Sequence, residues 1–320
     1  MNPLLEISGL SLEFRTRGGT VSALQNVSLS IGKGETVGLV GESGSGKSVL
    51  SYAIMGIQDP AARITAGRVQ FAGMDLLSMP QRQLADIRGR EIAMIFQNPR
   101  VALNPIRRVG QQIGDVLARH TTTLGRDREA RAVAMLQAVR IPDPQRRARA
   151  YPFEMSGGQC QRVMIAMALA ANPSLLIADE PTTGLDVTTQ AAIMRLLRDA
   201  AGDRQMSTVL ITHDLALASE SCDRIAVMHA GHIVEVAPTR ELFAHPRHPY
   251  TAALIRSVPA SAGTLADLDS IPGSLPDLRA PDLPACRFVE RCARAQPRCR
   301  DQPLPQVNAP ASVVSCHFPL

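Results

Sequence analysis

Lys47 is one of only two lysines among the 34 basic residues of this 320-residue chain, and it stands in "GETVGLVGESGSGKSVL". Residues 41–48 read Gly41, Glu42, Ser43, Gly44, Ser45, Gly46, Lys47, Ser48. Glycines at this spacing permit left-handed backbone angles, so successive N–H groups can turn inward on an anion. An ammonium at the end of such a loop reaches the β- and γ-phosphates as a compact charge, where the fork of an arginine fits poorly. The Ser48 hydroxyl can ligate Mg²⁺. The chemistry expected is the binding of a nucleotide through its phosphates.

A second stretch, "SLLIADEPTTGLDV", starts with a continuous apolar run, the pattern of a strand covered on both faces. Asp179 and Glu180 close that strand, at the end where α/β sheets place their ligands. Asp179 is assigned to the Mg²⁺ shell and Glu180 to orienting and deprotonating an attacking water. Between the two motifs lies "YPFEMSGGQCQRVMIAMALAANP". Ser156 and Gln159 form a capping box, opening a helix that stops before Asn172-Pro173. Gly157 and Gly158 weaken its first turn by about 1 kcal/mol each relative to alanine. That cost fits close approach of an anion to the helix start.

These residues need elements to hold them. Core strands are expected at 35–41, 91–97, 174–179, 207–213 and 224–228, and "LLEISGLSLEF" with "ALQNVSLSI" reads as an antiparallel layer. A helical subdomain is expected over about 98–172, beginning in the Arg- and Ala-rich stretch 98–155. No internal repeat is apparent, so one nucleotide-binding domain is expected rather than a tandem pair. The charge of +5 is small and spread along the chain, Trp is absent and Tyr occurs three times, which leaves no stacking platform for nucleic acid. The longest apolar stretch, around Val163 to Ala171, is too short to span a bilayer, and "MNPLLEIS" has no export core. A cytoplasmic chain is expected.

The ordered set of motifs resembles the ATP-binding cassette ATPases over about residues 1–235: the loop at 41–48, Gln97 ending "EIAMIFQ", Ser156-Gly157-Gly158-Gln159, Asp179-Glu180, "TTGLDV" around Asp186, and His213 in "VLITHD". The resemblance implies an α/β P-loop ATPase domain with an antiparallel β subdomain and an inserted helical subdomain. It implies ATP hydrolysis by a head-to-tail pair of such subunits. On that pattern Gly41, Ser43, Gly44, Ser45, Gly46, Lys47, Ser48 and Val49 surround the phosphates, and Ser48, Gln97 and Asp179 hold Mg²⁺. Ser156 to Gln159 meet the γ-phosphate of the nucleotide held by the partner, and Asp186 couples the two sites. Glu180, His213 and Gln97 form the catalytic set, with Gln97 also passing closure to a membrane subunit. Phe14 is a candidate adenine-stacking aromatic, with a core residue as the alternative. Val49 stands where Thr is frequent, and Gly184 replaces a usual Ala or Ser.

Beyond the last strand, "HPRHPYTAALIRSVP" resembles the C-terminal extension of the oligopeptide, dipeptide and nickel importer ATPases, which makes 236–320 an extension of that type. The resemblance implies a second homologous ATPase subunit, in a heterodimer by family precedent with a homodimer left open. It also implies two permease subunits, an indirect link to a periplasmic binding protein, and a place on the cytoplasmic face of a bacterial inner membrane. Di- or oligopeptides are the cargo it suggests. A soluble cassette ATPase in iron–sulfur assembly, repair or translation is the alternative, and a redox-sensing module is a further one.

Ten of the 23 prolines fall from Pro259 onward, so the tail is expected to be loop-rich and held by something other than a core of its own. Cys286, Cys292, Cys299 and Cys316 supply four thiols, and a reducing compartment favours metal ligation over disulfides. Their spacing lacks the short knuckles usual for Zn²⁺ and suits an iron–sulfur cluster better. Some members of the dipeptide-importer branch carry [4Fe–4S] at similarly placed cysteines, so that cluster leads, with Zn²⁺ or free and disulfide-forming thiols as alternatives. Arg287, Arg291, Arg294, Arg298 and Arg300 are expected to offset its charge, and His317 is a candidate substitute ligand with a bystander role as the alternative. Cys160 and Cys222 read as core residues.

Overall fold

The computed structural model describes residues 2–258, 270–309 and 312–320, which leaves Pro259 and Pro310 of the proline-rich tail outside the described residues. The chain divides into two compact units, Met1–Ser78 with Leu210–Leu320, and Met79–Val209.

The first unit opens with β1 (Leu5–Thr16) and β2 (Gly19–Ile31), paired antiparallel with Leu5 opposite Ile31 and Phe14 opposite Val21. Alternation along β1 buries Leu5, Ile7, Leu10 and Leu12 on one face, as a half-covered sheet requires. β3 (Thr36–Val40) is nearly wholly buried and runs into the phosphate loop, after which α1 (Lys47–Met55) begins. β4 (Ala62–Phe71) and β5 (Met74–Asp75) complete a sheet of order β2-β1-β4-β5. The sequence signal for β4 is weak because most of its side chains are exposed. Gly67, at φ +95°, lets β4 cross β1 closely: a Cβ there would fall 2.4 Å from Leu10 Cα.

The second unit contains α2 (Gln81–Ile87), α3 (Pro99–Ala102), α4 (Val109–His120), α5 (Arg128–Ala138), α6 (Pro144–Ala148), α7 (Gly157–Leu169) and α8 (Val187–Arg204), of which α3 to α7 fall within 98–172. Ile113, Leu117, Leu136 and Val163, from α4, α5 and α7, are fully buried. β6 (Ile92–Ile95) and β7 (Leu175–Asp179) pair in parallel, Ile92 opposite Leu175, and both are buried along their whole length. That burial is the physical origin of their continuous apolar runs.

β8 (Ser207–Thr212), also buried throughout, crosses the chain division. Back in the first unit come α9 (Leu215–Ser221), β9 (Arg224–His229), β10 (His232–Pro238), α10 (Thr239–Ala244) and α11 (Pro249–Arg256). The tail adds α12 (Arg298–Asp301), β11 (Gln306–Ala309) and β12 (Ser312–Ser315). Within this unit the strand order is β11-β12-β10-β9-β3, with β3 and β9 parallel. The tail therefore has more regular structure than its proline content suggests. β12 joins β10 through only two registered pairs, Glu235 with Val314 and Val236 with Val313, a strand too short to stand out in sequence.

Candidate functional site

The phosphate loop of the first unit is built on glycines in the left-handed region. Gly41 has φ +151°, Gly44 +81° and Gly46 +103°. At Gly41 no other residue fits, since a Cβ would lie 2.0 Å from the Met228 carbonyl oxygen. Gly46 precedes α1 without a side-chain cap, so the first-turn N–H groups of that helix stay available to an anion. Lys47 is buried, and its ammonium donates to the Gly41 carbonyl at 2.8 Å, the Glu42 carbonyl at 2.9 Å and Ser45 Oγ at 3.3 Å. The positive charge is thus aimed into the loop. Ser45 is buried and its carbonyl accepts from Gly231 N–H at 2.8 Å. Ser43 is exposed, while Ser48 and Val49 are half-buried on α1. His213 follows β8 and is exposed, and Asp214 beside it caps α9 by accepting from Leu217 N–H at 3.0 Å. Phe14 is half-buried near the end of β1.

In the second unit, Asp179 ends β7 and is buried, and Glu180 follows with a left-handed φ of +45°. Glu180 Oε2 accepts from Gln97 Nε2 at 2.8 Å and from Thr183 Oγ1 at 2.8 Å. Gln97, two residues past β6, is therefore brought onto the Glu180 carboxylate. The capping box at α7 forms as expected: Ser156 Oγ accepts from Gln159 N–H at 3.3 Å, and Gln159 Oε1 accepts from Ser156 N–H at 3.1 Å. The two glycines behind it differ. A Cβ on Gly158 would meet Thr189 Cγ2 at 3.3 Å, whereas one on Gly157 would have nothing within 4 Å. Asp186 caps α8, accepting from Thr189 N–H at 2.9 Å and from Thr189 Oγ1 at 2.7 Å, and these bonds hold its carboxyl below the usual range. Gly158 and Asp186 thus both border Thr189. Gly184 has φ +76°, so the residue types usual there would be strained and its glycine is a conformational requirement.

The extension is tied to its own unit through Glu235, whose buried carboxylate accepts from Arg247 N–H and His248 N–H, each at 2.8 Å. His248 Nδ1 accepts from Tyr250 N–H at 3.0 Å and so caps α11. The proline-bounded histidine motif is in this sense a helix start clamped by a buried acid.

Cys286, Cys292, Cys299 and Cys316 line one cavity, with His248, His317 and Arg294 among its other walls. All four are free thiols, Cys292 half-buried and the others buried. Burial pushes Cys286 up to about 12 and raises Cys292 and Cys316 as well. Among the described residues no group of three or more His, Cys, Asp or Glu side chains is placed to hold a metal ion. The metal expectation is not carried by the structure, which brings the four thiols to one cavity without forming a single-ion site. The expected arginine shell is also corrected. Only Arg294 of the five lines the cavity. Arg287 and Arg291 bond toward the N-terminal layer and the phosphate loop, Arg300 pairs with Glu290 at 2.7 Å, and Arg298 lies 5.5 Å from the Phe318 ring. Cys160 and Cys222 are core residues as read, and burial pushes Cys222 up to about 12. Sequence reasoning missed the importance of Glu42, Tyr250 and Arg291. The only signal was that a motif-bearing extension follows the ATPase elements at all.

The model of the ABC transporter family matches residues 24–183, and that of the oligopeptide/dipeptide transporter C-terminal region matches residues 234–299. The dipeptide transport ATP-binding protein of Escherichia coli K12 is 45% identical over 319 residues, covering 99% of this chain and 97% of that protein. Its Bacillus subtilis namesake is 43% identical over 318 residues, covering 99% and 95%. A solved dimeric ATP-binding cassette, bound to ADP and Pi in a post-hydrolysis state, superposes with a TM-score of 0.67 at 30% identity, covering 74% of this chain and 99% of that one.

Proposed function

We propose, from the premise that this chain belongs to the ABC transporter family of ATP-binding proteins, that it is the ATP-hydrolysing subunit of a bacterial importer of di- or oligopeptides. The observation that carries the reading is the Lys47 ammonium held inside a glycine loop at the start of α1. The C-terminal region and the names of the relatives support the peptide cargo. The names of these relatives do not favour a role in cluster assembly, repair or translation.

In this reading Lys47 and the loop N–H groups bind the β- and γ-phosphates, and Ser48, Gln97 and Asp179 supply the oxygen donors that would hold Mg²⁺, a hard cation. Bound Mg²⁺ supplies charge neutralisation on the phosphates. Glu180 accepts a proton from the attacking water, with His213 steadying the γ-phosphate and Gln97 reporting its presence. Phe14 meets the adenine. Ser156, Gly157, Gly158 and Gln159 present the start of α7 to the nucleotide held by a second, homologous ATPase subunit, and Asp186 couples the two sites. A heterodimer beneath two permease subunits, on the cytoplasmic face of the inner membrane, is the assembly we assign. Among the described residues no helix is long and apolar enough to cross a membrane. The four cysteine thiols would, once deprotonated, hold a [4Fe–4S] cluster as a covalent staple of the extension. What supports that reading is that the four thiols line one cavity.

The test is dipeptide uptake and ATP turnover together. A strain lacking this subunit is expected to lose growth on a dipeptide as sole source of a required amino acid. The wild-type chain restores it and Glu180→Gln does not; restoration by Glu180→Gln refutes the reading.

A further inference from the structure

We propose that Arg291 and Tyr250, both in the C-terminal extension, are positioning residues that hold the phosphate loop in its nucleotide-binding shape by gripping Glu42. This deepens the ATP-binding reading above and rests on it.

Glu42 is the second residue of the loop, and each of its polar groups is engaged. Its N–H donates to the Tyr250 hydroxyl at 3.0 Å, its carbonyl accepts from Lys47, and its carboxylate takes two parallel bonds from the Arg291 guanidinium, each 2.7 Å. The Arg291 side chain is only 5% exposed and that of Glu42 26%. A forked, mostly buried pair of this kind fixes direction as well as distance. Arg291 Nε donates in turn to the Pro272 carbonyl at 2.7 Å, which anchors the fork to the segment lying over the loop. There Leu275 is close enough that a Cβ on Gly44 would fall 3.3 Å from its side chain.

The grip matters because the loop is soft in itself. Three of its eight residues are glycines in left-handed conformations, and ordering such backbone costs conformational entropy. Lys47 now spends its three donors on the Gly41 and Glu42 carbonyls and on Ser45. An ammonium that turns to a phosphate gives up at least one of these bonds, and Tyr250 and Arg291 then remain as anchors of Glu42. A second arginine braces the underside: Arg287 donates to the Ser22 carbonyl at 2.9 Å and the Ala230 carbonyl at 2.5 Å, next to Gly231, whose N–H holds Ser45. Arg287 and Arg291 flank Phe288, which packs on Tyr250 at 5.3 Å, and both lie between Cys286 and Cys292. The cysteine-bearing segment is therefore also the segment that braces the loop, which gives a C-terminal extension a direct part in nucleotide affinity.

Isothermal titration of the full chain with ADP and Mg²⁺ tests this, beside melting curves. Arg291→Ala is expected to weaken ADP binding about tenfold or more, because it leaves the Glu42 carboxylate unpaired. Adding Glu42→Gln to that variant recovers part of the loss, and Arg291→Lys keeps charge without the fork and falls between. Tyr250→Phe removes one hydroxyl, keeps the ring packing, and weakens binding roughly threefold. In turnover assays KM for ATP rises while kcat at saturation is kept. Arg291→Ala and Tyr250→Phe both binding ADP within twofold of wild type, with Lys47→Ala unable to bind, overturns the proposal and leaves the ATP-binding reading standing. Should Arg291→Ala not fold, Tyr250→Phe at wild-type affinity overturns it alone. Undiminished binding by Lys47→Ala overturns the phosphate-loop reading itself.

Discussion

Gln97 donates from Nε2 to Glu180 Oε2 at 2.8 Å, so the residue expected to sense nucleotide and the residue expected to take the proton of water share one hydrogen bond. Thr183 Oγ1 donates to the same oxygen at 2.8 Å. Two neutral donors hold the carboxylate in place. Glu180→Gln keeps the shape of this site and loses the acceptor for a proton. ATP binding is expected to persist, and phosphate release to fall by about 10²- to 10⁴-fold. Gln97→Ala leaves Glu180 with one anchor fewer and lowers turnover by a smaller factor, roughly tenfold. Steady-state phosphate release with parallel nucleotide titration reads both.

The two signature glycines predict opposite failures. Gly158→Ala pushes a methyl toward Thr189 Cγ2 at 3.3 Å, disturbing the residue that Asp186 holds. Among the described residues Gly157→Ala meets nothing within 4 Å, and it improves helix propensity, so its melting temperature is expected to hold or rise. If the space beside Gly157 is kept for the nucleotide of a partner, that variant in a Glu180→Gln background loses ATP-driven association. Light scattering with and without ATP decides it; association at the parental ATP concentration removes Gly157 from the interface.

Most of the ATPase framework was legible because its signals are local. The strands at 36–40, 92–95, 175–179, 207–212 and 224–229 are buried along almost all their length and read as short, mostly apolar runs. The loop at 41–48 and the box at Ser156 and Gln159 are set by glycine conformation and capping, which depend on neighbours in sequence. What escaped was long-range. Arg291 and Glu42 are 249 residues apart, and an arginine between two cysteines gives no hint that its partner is a phosphate loop rather than a metal's charge. β4 escaped because its side chains are mostly exposed, and β12 because two registered pairs leave no period to detect.

The cysteine pocket gives a prediction about content. Anaerobically purified chain is expected to carry iron and sulfide with broad absorption near about 400 nm. Cys299→Ser is expected to lose both and to melt at lower temperature. Cys160→Ser, distant from that cavity in role, keeps them. A chain with neither iron nor sulfide, whose melting is indifferent to Cys299→Ser, sinks the cluster assignment.

His229 predicts how stability depends on acid. It is 1% exposed at the end of β9, between the Tyr250 ring at 4.4 Å and the Phe288 ring at 5.2 Å, with the Glu42 carboxylate 3.9 Å from Nδ1. Burial lowers its pKa from 6.5 to about 4; Glu42 pulls the other way, and the charge of Arg291 reinforces the fall. The folded chain keeps the ring neutral, while the unfolded chain takes up a proton as pH drops through 6.5. Between about pH 6.5 and 4 unfolding therefore gains a proton, and stability falls with falling pH by roughly 3 kcal/mol across the window. Above 6.5 the contribution is flat. Glu42, held below its usual value mainly by the Arg291 hydrogen bond, adds a loss in the same direction only at lower pH. Denaturant midpoints between pH 4 and 8 should show a shallower slope in His229→Phe than in wild type, because His232 and His248, both lowered to about 3 by burial, keep a slope of the same sign. An unchanged slope in that variant shows that another group carries the acid sensitivity.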